Sequence, residues 1–242
     1  MKTVNEIKRI CNLGCGTMGF GTAIAFAQHG YEVNMFGRKD ASIDRAMGNI
    51  RATLAIMKAN ELLTDEGEIA LLKRIHGVTT IEEAAKDADF VLESVAEDMA
   101  VKQQVYRELE GYLAPDIIFA TDSSGFLPTE ASAHMAYPER FVVAHFWNPP
   151  HLIPLVEVVP GEKTSRETVE ITWQLMEKIG KKPAALLKKH RALSAIACSS
   201  PCFAKPFIVC RTALLRRRSS TSSVNTASDA GSALRVPLKR LT

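Results

Sequence analysis

The sequence lacks several features that would place it in other classes of protein. It has no apolar run of about eighteen residues, so we expect no membrane-spanning helix. Its first residues lack the apolar core of a secretory signal peptide, which predicts a cytoplasmic protein. The few cysteines show no metal-ligand spacing with histidines, so we expect no zinc site. These cysteines are Cys11, Cys15, Cys198, Cys202 and Cys210.

Acidic residues are nearly absent from the last part of the chain. Residues 190–242 contain nine Lys and Arg but only one acid, Asp229. Positions 1–189 therefore hold 21 basic and 26 acidic residues, a net charge of −5 against +3 for the whole chain. The simplest interpretation is a poorly structured basic tail, rich in Ser and Arg. The tail contains no recognised nucleic-acid-binding module, so we expect no nucleic-acid partner.

The remaining sequence alternates apolar runs with amphipathic segments, which predicts parallel strands with helices on both faces. We therefore expect an α/β fold, a Rossmann-type doubly wound and mostly parallel sheet over 1–188, followed by the tail at 189–242. The predicted strands cover 7–13, 32–36, 78–80, 90–93, 117–121, 141–145, 155–159 and 184–187. The predicted helices cover 17–29, 41–75 with a break near 63–67, 81–86, 98–111, 129–135 and 165–180.

A glycine-rich motif, Gly14-Cys-Gly-Thr-Met-Gly19, follows the first predicted strand and opens the first helix. Gly14 permits a tight turn, Gly16 lets a pyrophosphate approach the backbone, and Gly19 allows close packing of helix against strand. The phosphates would lie on the free N–H groups at the helix start, beside Thr17 and Met18. In this strand–turn–helix context, the motif predicts dinucleotide binding.

The second predicted strand ends without the acidic residue that usually bonds the ribose of NAD. Gly37 occupies that position, and Arg38 follows it. Arg38 could accept the 2′-phosphate of NADP, or it could stack on the adenine without selecting either cofactor. The motif therefore predicts a dinucleotide but leaves NAD and NADP open.

A histidine and a glutamate lie in consecutive apolar runs: His145 ends the run at 141–145, and Glu157 lies inside 155–159. A buried carboxylate that holds an imidazole fixes its tautomer and tunes a general acid/base near neutral pH. The alternative is a solvated histidine at a strand end and a glutamate on an exposed strand face.

Polar residues also follow two other predicted strands, at the sheet edge where such folds bind ligands. Glu97 comes after the fourth strand and could lie beside the nicotinamide, or it could be an acid at a helix start. Ser123 and Ser124 come after the fifth strand, where they could face the same crevice or cap the next helix.

With these motifs together, residues 5–189 resemble the NAD-binding domain of the 3-hydroxyacyl-CoA dehydrogenase family. The resemblance lies in the glycine motif, Glu93-Ser-Val-Ala-Glu97 with Lys102, Ser123-Ser124, His145-x-x-Asn148-Pro149 followed by Glu157, and Ile179-Gly-Lys-Lys-Pro183. It implies that the helical stretch at about 41–75 is the family's inserted helical pair. It also implies NAD as cofactor, with Glu97 and Lys102 among the cofactor-binding residues.

The resemblance further implies the catalytic roles. His145 would be the acid/base that takes the hydroxyl proton while hydride passes to the nicotinamide, and Glu157 would orient it. Ser124 matches the serine that bonds the substrate oxygen, and Asn148 the asparagine of the active-site loop. The implied substrate is a 3-hydroxyacyl-CoA.

Two other functions stay open. The loop after Asn148 resembles the branch that holds gulonate and carnitine dehydrogenases, so a hydroxy acid without CoA is one alternative. The other is a truncated, catalytically inactive dinucleotide-binding protein. In this family, the homodimer surface lies mainly in a helical domain that follows the last strand of the NAD-binding domain. Residues 189–242 do not match that domain.

A shifted reading frame offers an explanation for the tail. One back-translation of residues 190–197, started at its third base, encodes Pro-Gly-Leu-Ile-Gly-Asn-Arg, which resembles the start of the family's helical domain. Our hypothesis is that residues from about 190 are a frameshifted remnant of that domain. We expect the coding DNA to restore this segment after a single-frame correction. A DNA sequence that offers no such correction would refute the hypothesis.

Overall fold

An eight-stranded sheet forms the centre of the protein in the computed structural model, which describes residues 1–185. Its strands are β1 (Arg9–Leu13), β2 (Glu32–Phe36), β3 (Ile75–Val78), β4 (Phe90–Glu93), β5 (Ile118–Thr121), β6 (Phe141–Phe146), β7 (Leu155–Pro160) and β8 (Lys182–Ala185). Their order across the sheet is β3-β2-β1-β4-β5-β6-β7-β8, and all neighbours are parallel except β6 and β7. The strand order reverses between β1 and β4, which creates a crevice at the carboxyl ends of these strands.

Helices pack on both faces of this sheet. They are α1 (Thr17–Gln28), α2 (Asp40–Ala59), α3 (Asp65–Lys73), α4 (Ile81–Ala85), α5 (Met99–Glu110), α6 (Pro128–Ala131) and α7 (Arg166–Lys178), with a 3₁₀ turn at Pro138–Arg140. One apolar core includes Phe26, Ile50 and Leu175 from α1, α2 and α7. A second core includes Tyr106 and Leu109 from α5. The predicted doubly wound, mostly parallel α/β fold is therefore confirmed.

Four helices begin at a side chain that accepts a hydrogen bond from a backbone N–H three residues later. These caps satisfy an N–H group that the helix itself leaves without a partner. The capping residues are Thr64 for α3, Thr80 for α4, Asp98 for α5 and Ser165 for α7. By contrast, the residue directly before α1 is Gly16, which has no side chain to cap the helix.

The pairing of β6 with β7 is the one antiparallel contact in the sheet. The two strands are joined by residues 147–154, and their register places His145 opposite Glu157. Because β7 runs back from the carboxyl end of β6, the early residues of β7 lie at the same sheet edge as the end of β6. The reversal therefore brings a residue from inside β7 to the edge where the parallel strands end.

The third strand differs from its predicted position. It covers Ile75–Val78, whereas the apolar pattern suggested 78–80. Ile75 is buried and pairs with Val33, so it belongs to the sheet and not to the preceding helix. Thr80 cannot extend the strand because its hydroxyl caps α4. The helix predicted at 129–135 is also shorter, and the Ser132 hydroxyl donates to the Pro128 carbonyl where it ends.

Several predictions extend beyond the described residues. The strand predicted at 184–187 begins earlier, as β8, and its last two residues lie outside the described part of the chain. The domain boundary at 188, the tail at 189–242 and its frameshift hypothesis also lie outside it. Within residues 1–185, no helix is long and apolar enough to cross a membrane.

Candidate active site

The glycine loop after β1 packs against the start of the chain segment after β4. Gly14 has a φ of +116°, and a Cβ added to it would lie 2.5 Å from the Ser94 carbonyl oxygen. A Cβ added to Gly19 would lie 2.1 Å from the Gly14 carbonyl oxygen. Nothing lies within 4 Å of a Cβ added to Gly16, so this part of the loop is open. The loop thus combines two positions that exclude a side chain with one that leaves free space.

The helix start beside this open space has the donors that an anion needs. Gly16 is extended and exposed, and Thr17 begins α1 without a side-chain cap before it. The first N–H groups of a helix have no intrahelical partner, and the helix dipole favours a negative charge there. Gly14, Gly16, Thr17, Met18 and Gly19 therefore form a surface that fits a pyrophosphate.

Two buried polar residues that the sequence motif does not include hold this loop in place. The Asn12 amide donates to the carbonyl oxygens of Gly14 at 3.2 Å and Gly19 at 2.9 Å. The Thr22 hydroxyl donates to the Asn12 side-chain oxygen at 2.9 Å. Both side chains are fully buried. A polar residue inside the apolar first strand was the only signal of this support in the sequence.

His145 and Glu157 form a direct hydrogen bond across β6 and β7. The distance from His145 Nδ1 to Glu157 Oε2 is 2.7 Å, and the side chains are 16% and 15% exposed. This bond assigns the proton to Nδ1 and leaves Nε2 without a partner among the described residues. Glu157 therefore does not lie on an exposed strand face, which was the alternative interpretation of its position.

The surroundings of His145 favour its protonated form. Burial alone would lower its pKa, but the hydrogen bond with Glu157 and the negative charges of Asp122 and Glu157 outweigh burial. The pKa of His145 is therefore raised above its ordinary value. An imidazole in this setting is suited to accept a proton and to keep it as an imidazolium beside a carboxylate.

Glu97 organises the loop after β5. Its carboxylate accepts hydrogen bonds from the Ser123 hydroxyl at 2.5 Å and the Gly125 N–H at 3.1 Å, and it forms an ion pair with Lys102 at 3.2 Å. Partial burial acts to raise the pKa of Glu97, but Ser123 and Lys102 hold it below its ordinary value. Ser123 therefore supports this loop, and it does not cap α6, which begins without a side-chain cap.

Lys102 lies in a buried cluster around Glu93, a residue that the sequence motifs named but gave no role. The Lys102 ammonium donates to Glu93 at 2.7 Å, and both side chains are almost fully buried. The Tyr106 hydroxyl and the Thr121 hydroxyl donate to the other oxygen of Glu93 at 2.5 and 2.7 Å. Lys102 thus links the buried Glu93 to Glu97 by pairing with both carboxylates. Its predicted contact with a cofactor stays a prediction.

Asp122 is a buried carboxyl group that sequence reasoning missed. One oxygen accepts a hydrogen bond from the Phe146 N–H at 2.6 Å, while the other is buried and has no partner. Burial raises the pKa of Asp122 to about 7. The signal for it was its place between Thr121 and Ser123, at the end of an apolar strand. It ties the end of β5 to the strand that holds His145.

Ser124 and Asn148 follow the ends of β5 and β6. Ser124 is half-buried and Asn148 is exposed, and neither side chain forms a hydrogen bond with the described residues. The peptide bond between Asn148 and Pro149 is cis. The loop after β6, which contains Asn148 and Pro149, is held by the buried Lys181. The Lys181 ammonium donates to the Pro150 carbonyl at 2.5 Å and the Ile153 carbonyl at 3.0 Å. Lys181 had no assigned role in the sequence.

Comparison with known proteins identifies the family of this chain. The family model described as "3-hydroxyacyl-CoA dehydrogenase, NAD binding domain" matches residues 9–190. The chain belongs to this family. The resemblance inferred from the sequence is therefore confirmed, and with it the prediction of an NAD site.

Individual relatives in the family differ in their names. The chain is 35% identical over 182 residues to the 5-formyl-3-hydroxy-2-methylpyridine 4-carboxylate 5-dehydrogenase of Mesorhizobium japonicum, covering 75% of this chain and 58% of the relative. It is 33% identical to the L-carnitine dehydrogenase of Staphylococcus epidermidis, covering 69% and 51%. The chain thus spans between half and three-fifths of these relatives.

A solved structure shares the same arrangement. The 3-hydroxybutyryl-CoA dehydrogenase of Escherichia coli K12 matches with a TM-score of 0.72 and 33% identity, covering 74% of this chain and 38% of that one. The fold of residues 1–185 is therefore that of the NAD-binding domain in the 3-hydroxyacyl-CoA dehydrogenase family.

The glycine loop of this family member yields a paired prediction. We expect Gly19→Ala to lower the free energy of unfolding by roughly 2 kcal/mol or more, because its Cβ would clash with the Gly14 carbonyl. Gly16→Ala should leave stability within about 0.5 kcal/mol but weaken NADH binding, because its methyl group enters the open space. Urea unfolding and NADH fluorescence titration measure the two effects. Gly48→Ala, which also adds a methyl group in open space but on α2, is the matched control.

Equal NADH affinity in Gly16→Ala and the unchanged protein would contradict a pyrophosphate at this loop. Unchanged stability in Gly19→Ala would contradict the packing.

The buried carboxyl group yields a prediction of pH dependence. In the unfolded chain Asp122 loses its proton near its ordinary pKa, while in the folded protein it keeps the proton up to about 7. Between these values a rise in pH therefore favours unfolding. We expect Asp122→Asn to gain stability relative to the unchanged protein as pH rises from about 4 to about 7, by a difference on the order of 4 kcal/mol. Urea unfolding at a series of pH values measures it.

The comparison uses the change with pH and not the stability at one pH. An asparagine at position 122 keeps the acceptor for Phe146 but buries an unmet amide donor, which adds the same cost at every pH. Parallel pH profiles for the two proteins would contradict a raised pKa at Asp122.

Proposed function

We propose that this protein is an oxidoreductase that transfers hydride between NAD and the CH–OH group of a 3-hydroxyacyl-CoA, with His145 as general acid/base. The observation that carries the proposal is the His145–Glu157 pair at the carboxyl edge of the sheet, the same edge as the glycine loop. The family to which the chain belongs supports the same chemistry. Because the chain spans about half to three-fifths of its relatives, its own activity is part of the proposal.

The residues proposed to position the substrate are Ser124 and Asn148, whose side chains have no partner among the described residues. The Ser124 hydroxyl would donate a hydrogen bond to the substrate oxygen as it becomes a carbonyl. Asn148 would orient the same group from the loop after β6. Glu97 holds the loop that contains Ser124, and Lys181 holds the loop that contains Asn148.

Proton transfer would take place at the free nitrogen of His145. Nε2 accepts the hydroxyl proton of the substrate as the carbonyl bond forms, and Glu157 stabilises the imidazolium through Nδ1. Bound NAD would accept the hydride that leaves the carbon bearing this hydroxyl group. Oxidation therefore needs the neutral imidazole, while reduction of the ketone needs the imidazolium as proton donor.

A substrate without CoA is a second candidate for the same site. Two relatives at 35% and 33% identity are named for substrates other than an acyl-CoA. The loop of residues 148–154 also resembles the branch with gulonate and carnitine dehydrogenases. Turnover of L-carnitine or L-gulonate, but not of 3-hydroxybutyryl-CoA, would favour this candidate and overturn the CoA substrate. Binding of NADH without turnover of any of these substrates would overturn the catalytic proposal.

Variants of the pair test its role. We expect His145→Asn to lower kcat/KM by about 10²- to 10⁴-fold, because it removes the proton acceptor. Glu157→Gln should lower kcat and move the acidic limb of the oxidation profile to lower pH, because the carboxylate that raises the pKa of His145 is lost while burial remains. Steady-state assays of reduced nicotinamide across pH measure both effects.

His134→Asn is the matched control, since His134 is exposed and lies outside the candidate site. An unchanged acidic limb in Glu157→Gln would contradict the assignment of that limb to His145. Activity of His145→Asn equal to that of the control would contradict its role as acid/base.

A further inference from the structure

The end of β2 lies directly beside the glycine loop. Leu13 and Phe36 are paired in register, and the Gly14 N–H donates to the Phe36 carbonyl at 3.1 Å. Gly37 follows and donates its N–H to the Val78 carbonyl of β3 at 3.0 Å. In a dinucleotide site of this topology, the residue here faces the adenosine ribose, and an acid bonds the 2′-hydroxyl. That acid also repels a 2′-phosphate.

A side chain at this position would require the side chains of Cys15 and Ile43 to move. A Cβ added to Gly37 would lie 2.7 Å from Cys15 Sγ and 2.8 Å from Ile43 Cδ1. The same Ile43 approaches Gly77 on β3, where an added Cβ would lie 2.2 Å from Ile43 Cγ2. Cys15 and Ile43 therefore cover the place where the acid would stand. The carboxylate that distinguishes a ribose from its 2′-phosphate is absent.

The next residues supply positive charge at the same rim. Arg38 and Lys39 are exposed, and neither side chain forms a hydrogen bond or an ion pair with the part of the chain that the structure describes. Arg45 on α2 lies near enough for its charge to act on the Cys15 thiol. The nearest acid in sequence is Asp40, which is exposed in the first turn of α2. An unpaired guanidinium suits the bidentate binding of a phosphate group.

We propose that this domain binds NADP(H) at least as tightly as NAD(H), and that Arg38 binds the 2′-phosphate. The inference rests on the dinucleotide site of the proposed function and does not depend on turnover. It differs from adenine stacking by Arg38, which would contribute equally to both cofactors.

Binding to the full chain tests the proposal. Fluorescence titrations with NADPH and NADH give the two affinities, and calorimetry with adenosine 2′,5′-bisphosphate and 5′-AMP isolates the phosphate. We expect NADPH to bind at least as tightly as NADH, and the bisphosphate to bind more tightly than 5′-AMP. Arg38→Gln should weaken NADPH binding about tenfold or more, as expected for lost charge-assisted hydrogen bonds, and change NADH binding less than about twofold.

Arg51→Gln is the matched control, because Arg51 is an exposed arginine about three turns into α2. It should leave both affinities unchanged. If NADPH binds to the unchanged protein ten times more weakly than NADH, the proposal is overturned. The proposed NAD-dependent function would stay intact. Equal losses for both cofactors in Arg38→Gln would assign stacking to Arg38 and overturn its phosphate role. Failure of both cofactors to bind would overturn this proposal and the proposed function together.

Discussion

The antiparallel pairing of β6 with β7 is the constraint on which the candidate active site depends. In a sheet whose strands all ran one way, the residues opposite the end of β6 would belong to the end of the next strand. Here β7 starts at that edge, so its third residue, Glu157, lies opposite His145. Because side chains alternate between faces along a strand, a shift of one residue in this register would turn the carboxylate away from the imidazole.

Two buried carboxyl groups on neighbouring strands show how hydrogen bonding decides the state of the site. Glu93 at the end of β4 is surrounded by the Lys102 ammonium and the hydroxyls of Tyr106 and Thr121. Asp122, just after β5, has one N–H donor and an oxygen without a partner. Burial therefore raises the pKa of Asp122, because too few donors oppose it. The charge of Asp122, which acts on His145, thus depends on pH. The charge of Glu93 is neutralised by the Lys102 ammonium.

Sequence reasoning found the parts of the site that depend on local pattern. The glycine motif, the apolar runs around His145 and Glu157, and the serines after β5 are all recognisable from residue type and spacing. The structure confirms the fold and brings His145 and Glu157 into contact. The third strand was misplaced because Thr80 suits a strand as well as it suits a helix cap, and only the packing of Ile75 distinguishes the two.

Supports that join distant segments were not predictable in the same way. Asn12 holds a loop that follows it, Lys181 holds a loop some thirty residues earlier, and Asp122 contacts the next strand along the chain. None of these has a neighbour in sequence that reveals its partner. Each lies in or beside an apolar segment, where a polar side chain must find a partner at some distance. A lone polar residue in such a segment predicts that a support exists, but only the fold identifies what it holds.

The glycine loop and the His145–Glu157 pair therefore depend on different physical properties of the same sheet edge. The shape of the glycine loop is set by backbone packing around Gly14 and Gly19. The His145–Glu157 pair depends on the charge of His145, whose pKa responds to Asp122 and Glu157. A change of pH thus alters the second without altering the first. For this reason, cofactor affinity and the proposed hydride transfer are separate measures of the domain, and the loss of one would not imply the loss of the other.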